Sequence, residues 1–239
     1  MEETIRSFVA LDLETTGLDT KKDKIIEIGA VKYQDGVEVD AFSTYVHSPI
    51  QVPANILELT GILKEDLDKA PEFQEIKDDF LQFLGDEILL GHRILFDFAH
   101  VKRAFALEKI PYERKGIDTL KLCRTYMPEG QSKRLKDVCE YFGIPLENHR
   151  ALADARGAAE VYFRLCKEYL EVAKVAPTPL QYKIKKETRI TLSQIEQIQK
   201  LTSRLGITPD YEAEKLTRSE ASRIIESYFQ KLRSLGETL

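Results

Sequence analysis

The sequence has 239 residues, 43% hydrophobic and 31% charged, with a formal net charge of −5. That apolar content supports a proper core and excludes a wholly disordered chain. No apolar run approaches the ~18 residues of a membrane span, and the Met1-Glu2-Glu3 start lacks the basic and apolar regions of a secretory leader. The three cysteines, Cys123, Cys139 and Cys166, are odd in number and form no CxxC pair. They exclude a disulfide scaffold and a thiolate zinc site, and fit a reducing cytoplasm.

In chain order, Ser7–Leu13 is nearly continuous in apolar residues and reads as a buried strand. Lys24–Tyr33 and Val37–Val46 read as two more, with Gln34-Asp35-Gly36 as the hairpin connection. Phe73–Leu84 has apolar residues at helical spacing, and Ile88-Leu89-Leu90 is a short buried strand. A helix carrying Phe98, Val101 and Phe105 follows. A brief strand at Gly116-Ile117 then leads into helices at Leu120–Tyr126 and Leu135–Phe142. A long helix over Ala151–Leu170 shows Ala158, Val161, Tyr162, Leu165 and Tyr169 on one face. A hairpin first, with strands and helices alternating afterwards, implies an α/β or α+β fold: a mixed sheet, here of five strands, with helices packed on it.

This first domain is expected to span 1–174. Ala176-Pro177-Thr178-Pro179 and the basic stretch Lys183–Arg189 suggest a linker over 175–190. A helical hairpin is expected over 191–239. Ser193 with Glu196 would cap its first helix, closed by Gly206, and Thr217 with Glu220 its second, closed by Gly236. The second helix carries an apolar stripe through Ala221, Ile224, Ile225, Tyr228, Phe229 and Leu232.

Charge is unevenly spread. Residues 1–99 hold 9 Lys and Arg against 21 Asp and Glu, whereas residues 100–136 hold 10 against 4. This reads either as a metal site beside an anionic-polymer track or as solvated faces that happen to cluster. Arg103, Arg114, Lys115, Lys121, Arg124, Lys133, Arg134 and Lys136 are the candidates for such a track.

Asp12 and Glu14 stand two apart at the end of an apolar strand, so both point to one face of the sheet. Carboxylates that converge there repel each other unless a cation lies between them. A chain this rich in Asp and Glu contains such triplets by chance, and Asp210-Tyr211-Glu212 is a second one with no strand behind it. What distinguishes the first is its company. Thr15-Thr16-Gly17-Leu18 follows directly, a polar turn whose glycine lets backbone approach a ligand. Gly91-His92-Arg93 leaves a buried strand and places Phe96 and Asp97 early in a helix. His149 and Asp154 lie five apart, ~140° out of phase on one helix, and can converge only if His149 sits on the loop before it.

Together, Asp12-x-Glu14 with Thr-Gly, Gly-His followed by Phe-Asp97, and His149-x4-Asp154 resemble the signature of the histidine-type DEDD 3′–5′ exonucleases. That family includes proofreading subunits of bacterial replicative polymerases. Leu59-Thr60-Gly61-Ile62 and Asp118-Thr119-Leu120 match it as well, over about residues 5–170. Arg93 departs from it, since relatives often carry Asn there. The resemblance implies a ribonuclease-H-like fold and hydrolysis of nucleotides from a 3′ end. The substrate would be single-stranded or frayed DNA, with RNA as the alternative; a non-catalytic nucleic-acid-binding subunit is the rival of another class. It implies Asp12, Glu14, Asp97 and Asp154 as ligands of two Mg²⁺ or Mn²⁺ ions, and His149 as the base. Thr15, Thr16, Gly17, Leu18, His92 and Phe96 would meet the substrate. The C-terminal helices are expected to serve either nucleic acid or a partner such as a polymerase or other DNA-processing complex, in the cytoplasm and without a membrane. Asp118 is expected to cap locally, and His47 and His100 to lie on the surface.

Overall fold

The computed structural model describes residues 4–146, 150–169, 171–184, 189–209, 211, 213–216 and 218–234. It divides into two compact units, 1–182 and 183–239.

In the first unit, β1 (Phe8–Thr15), β2 (Ile25–Gln34) and β3 (Val37–Tyr45) form an antiparallel meander. Asp35 and Gly36 turn between β2 and β3 with φ of 52° and 82°, the doubly positive pair that matches strand twist in a two-residue hairpin. Two short helices follow, α1 (Ala54–Thr60) and α2 (Lys64–Lys69), then α3 (Phe73–Leu84), β4 (Leu89–Gly91) and α4 (Ile94–Leu107). The chain continues through β5 (Lys115–Asp118), α5 (Thr119–Tyr126), α6 (Leu135–Phe142) and α7 (Ala151–Glu168). β6 (Thr178–Pro179) pairs antiparallel with β5. The sheet order is β3-β2-β1-β4-β5-β6, with β4 parallel to both β1 and β5.

The sheet therefore has six strands among the described residues, one more than expected. The sixth comes from the supposed linker. Residues up to Tyr182 belong to the first unit: Leu180 is buried and its N–H bonds Arg114 O at 2.9 Å. Tyr182 Oη lies 2.5 Å from Thr20 Oγ1. Prolines that exclude a helix here sit comfortably on an edge strand.

Side-chain alternation sorts the core into two layers. Phe8 and Ala10 of β1 pack with α5, α6 and α7, while Val9, Leu11 and Leu13 pack with α3 and α4. Asp12 and Glu14 continue the row of Phe8 and Ala10, so they point toward the face that α7 covers.

In the second unit, α8 (Leu192–Leu205) and α9 (Arg218–Ser234) pack on each other. The first cap is Thr191 with Gln194, two residues ahead of the expected Ser193, and the left-handed Gly206 closes that helix as expected. Thr217, Leu235 and Gly236 lie outside the described residues. The apolar stripe of α9 faces inward, with Ala221, Ile225 and Leu232 buried against Ile198 and Leu201.

Candidate metal and active centre

β1 outlasts its parallel neighbour: its last pairing with β4 is at Ala10. Beyond that point Asp12 and Glu14 emerge where α4 and α7 both arrive. Asp97 lies in the first turn of α4, 4% exposed, and its carboxylate accepts from its own N–H and from that of Leu13. Asp154 lies in the first turn of α7, where the helix dipole favours a carboxylate. Asp12, Glu14 and Asp154 can each offer an oxygen within 4.8 Å of the other two.

Such crowding shows in the electrostatics. Burial, then Asp97, Asp154, Glu14 and Glu27, push the Asp12 carboxyl well above its ordinary range. Burial, then Asp154 and Glu27, raise Glu14 to about 7. Asp97 is also raised, by burial before Glu14 and Asp118, and in spite of its two backbone hydrogen bonds. An all-oxygen, anionic donor set of this spacing suits a hard divalent cation of the Mg²⁺ or Mn²⁺ kind.

The approach of α7 depends on Gly29, which pairs with Asp12. A Cβ there would stand 2.1 Å from the Ala151 carbonyl carbon, so only glycine lets the helix N-terminus come this close. Two pairs along the same register, Glu27 is opposite Glu14 and only 1% exposed. Its carboxylate accepts from Arg150 Nε and Nη2, both at 3.2 Å, and from the Ala151 N–H at 3.4 Å. These residues were not singled out from sequence. The available signal was a charge inside the apolar strand Ile25-Ile26-Glu27-Ile28, because a buried carboxylate needs a partner.

The expected substrate contacts divide. Leu18 is 76% exposed and Phe96 half-buried, with the Arg93 guanidinium 5.4 Å from the Phe96 ring centroid. Thr15 donates to Gly17 O at 2.7 Å, while Thr16 donates to Asp23 at 3.2 Å and accepts from the Lys24 N–H at 3.0 Å. Both hydroxyls thus shape the turn. Gly17 allows that turn to close over Asp23, which a Cβ would meet at 2.5 Å.

His92 is held by the protein itself. Its Nε2–H donates to Lys133 O at 2.7 Å and its Nδ1 meets the Thr119 hydroxyl at 2.9 Å, so both nitrogens are engaged inside the protein. It ties β4 to α5 and to the chain before α6. Arg93 caps α4 in the left-handed region at φ 82°, a conformation Asn tolerates better than Arg. Asp118 caps α5 as expected, accepting from Leu120 and Lys121, and also from the Arg93 N–H at 3.1 Å.

His100 is 3% exposed, not on the surface, and burial drives its imidazole down to about 4. Arg103 is likewise buried, and Arg114 is turned onto Glu113 O and Gly85 O, so neither belongs to an open basic track. His149, Asp210 and Glu212 lie outside the described residues.

Residues 9–162 match a family model described as Exonuclease (RNase_T). The chain is 37% identical over 172 residues to a DNA polymerase III PolC-type protein of Clostridium perfringens, covering 70% of this chain. It spans about 12% of the length of that relative. A DNA polymerase III subunit epsilon of Aquifex aeolicus is 34% identical over 164 residues, covering 68% of this chain and 81% of the relative. Among solved structures, the nuclease domain of 3′hExo, described as a DEDDh family member bound to rAMP, aligns with a TM-score of 0.60 at 20% identity. That alignment covers 75% of this chain and 98% of the other.

Proposed function

This chain belongs to the Exonuclease family, and from that premise we propose that it is a 3′–5′ exonuclease acting on single-stranded or frayed DNA ends. The observation that carries the reading is the meeting of Asp12, Glu14 and Asp154 within 4.8 Å, with buried Asp97 alongside, at the end of the central strand. A carboxylate cluster this costly is explained by a bound cation and has no use in a scaffold. These four residues would hold two divalent ions, Mg²⁺ or Mn²⁺. Divalent ions held there would compensate the negative charge that gathers on a phosphodiester as it is cleaved.

The chain's own groups supply the rest. His149, in its neutral form, takes the proton of the attacking water. The exposed Leu18 and the Phe96 ring wedge against the terminal bases. Backbone groups of Thr15–Leu18 hold the terminal nucleotide, since the threonine hydroxyls are engaged in the turn. Two relatives are named as DNA polymerase III proteins, which supports work beside a replicative polymerase in the cytoplasm. No described helix is long and apolar enough to cross a membrane. The unit 183–239 would add binding to nucleic acid or to such a partner.

The test is incubation with 5′- and 3′-labelled DNA and RNA strands in Mg²⁺, Mn²⁺ or EDTA. Stepwise shortening of DNA from the 3′ end, blocked by EDTA, is expected. Cleavage confined to RNA would overturn the substrate, and inactivity on both with either ion would overturn the reaction.

A further inference from the structure

The start of α7 has a peculiarity that the proposed chemistry does not account for. Its N-cap residue, Arg150, is extended and offers no side-chain cap, so the first-turn N–H groups need acceptors from elsewhere. One acceptor comes from across the sheet: Glu27 of β2 takes the Ala151 N–H on one oxygen and the Arg150 guanidinium on the other. Strand register sets Glu14, Glu27 and Tyr45 side by side on β1, β2 and β3. Arg150 lies along that row, bonded to Glu27 and with its guanidinium 5.6 Å from the Tyr45 ring centroid.

We infer that Glu27 is a positioning residue of the exonuclease site: by gripping Arg150 and Ala151, it sets where the chain delivers His149 and Asp154. The inference rests on the proposed reaction. Glu27 stands outside the oxygen cluster formed by Asp12, Glu14 and Asp154, and both of its oxygens are already occupied. Its charge is therefore answered by Arg150 rather than by a cation. The grip acts on the residue immediately after His149, and Arg150 O in turn accepts the Asp154 N–H at 2.9 Å. One buried carboxylate thus holds both residues of the helix start, Arg150 and Ala151, and Gly29 two residues along keeps the space into which that start fits.

The test compares Glu27→Gln, which keeps the shape and one acceptor, with Glu27→Ala, Arg150→Ala and the double variant. Each is measured in the 239-residue chain, per folded molecule. Misplacing a reacting group by about 1 Å costs on the order of 100-fold, so kcat should fall ~100-fold in Glu27→Ala and ~10-fold in Glu27→Gln, with KM within ~3-fold. Glu27→Ala and Arg150→Ala should be strongly non-additive, because each removes the same grip. Adding Glu27→Ala to His149→Ala should cost far less than it costs alone, and the rise of rate with pH through the histidine should flatten. A purely structural residue would lower the melting temperature but leave the kcat of folded molecules and the pH profile unchanged. That result, or additive effects of the pair, would overturn the inference. A wild-type protein inactive on labelled DNA and RNA would instead overturn the reaction itself.

Discussion

Neutralising one carboxylate of the cluster should stabilise the metal-free protein, and the structure sets the size and the pH window. Burial and its charged neighbours hold Glu14 at about 7 against an ordinary 4.5. Between those values the folded chain keeps a proton that the unfolded chain has released, so stability falls as pH rises through the window. At ~1.4 kcal/mol per pH unit, the ionised side chain costs about 3 kcal/mol above pH 7. For a domain of this size each kcal/mol shifts the melting temperature by ~2–4 °C, so Glu14→Gln should melt roughly 6–12 °C higher than wild type at pH 8 in EDTA. At pH 4.5 the two should nearly coincide. Thermal melts across pH 4.5–8, with and without Mg²⁺, read this directly, and Mg²⁺ should close the gap by stabilising wild type alone. Parallel melting curves at every pH would refute the claim that Glu14 is crowded by Asp154 and Glu27.

Other substitutions probe separate parts of the argument. His149→Ala should slow cleavage by ~10²–10⁴-fold and abolish the rise of rate with pH, while Mg²⁺ binding followed by calorimetry stays near wild type. Gly29→Ala forces a Cβ against the Ala151 backbone; the folded protein should lose activity, and denaturant melts should show a destabilisation of more than ~2 kcal/mol. A chain truncated after Tyr182 should stay folded and cleave a short oligonucleotide at nearly the full rate. A chain truncated after Ala176 loses β6 and the buried Leu180, and should be less stable by at least ~2 kcal/mol in the same melts.

The carboxylates were legible because their signal is local: strand alternation gives Asp12 and Glu14 one face, and short motifs mark Asp97 and Asp154. The hairpin and the long helix were legible because period and turn chemistry agree there. What escaped has a physical reason in each case. The helices α1 and α2, seven and six residues long, are too short to establish a period. The two-residue β6 owes its pairing to β5 rather than to its own pattern. Thr191 and Ser193 are both competent caps, and local sequence does not choose between them. His92 sits inside the most informative motif, and only the positions of Thr119 and Lys133 reveal that its ring is committed inward. Glu27 is the instructive omission: a buried charge declares that a partner exists, but not that Arg150 supplies it from more than a hundred residues away.

The carboxylate centre draws on β1, α4 and α7, so its first and last members lie far apart along the chain. Contacts of such sequence separation carry a larger loop-closure cost than those within the β1–β3 meander. A chain still emerging from the ribosome with Asp12 and Glu14 exposed but Asp154 not yet made holds only part of the cluster. It has little means of cutting the nucleic acid that surrounds it during synthesis. The proposed hydrolytic capacity would therefore arrive with the completed domain, and the appearance of activity during refolding should follow the docking of α7 rather than the formation of the β1–β3 meander.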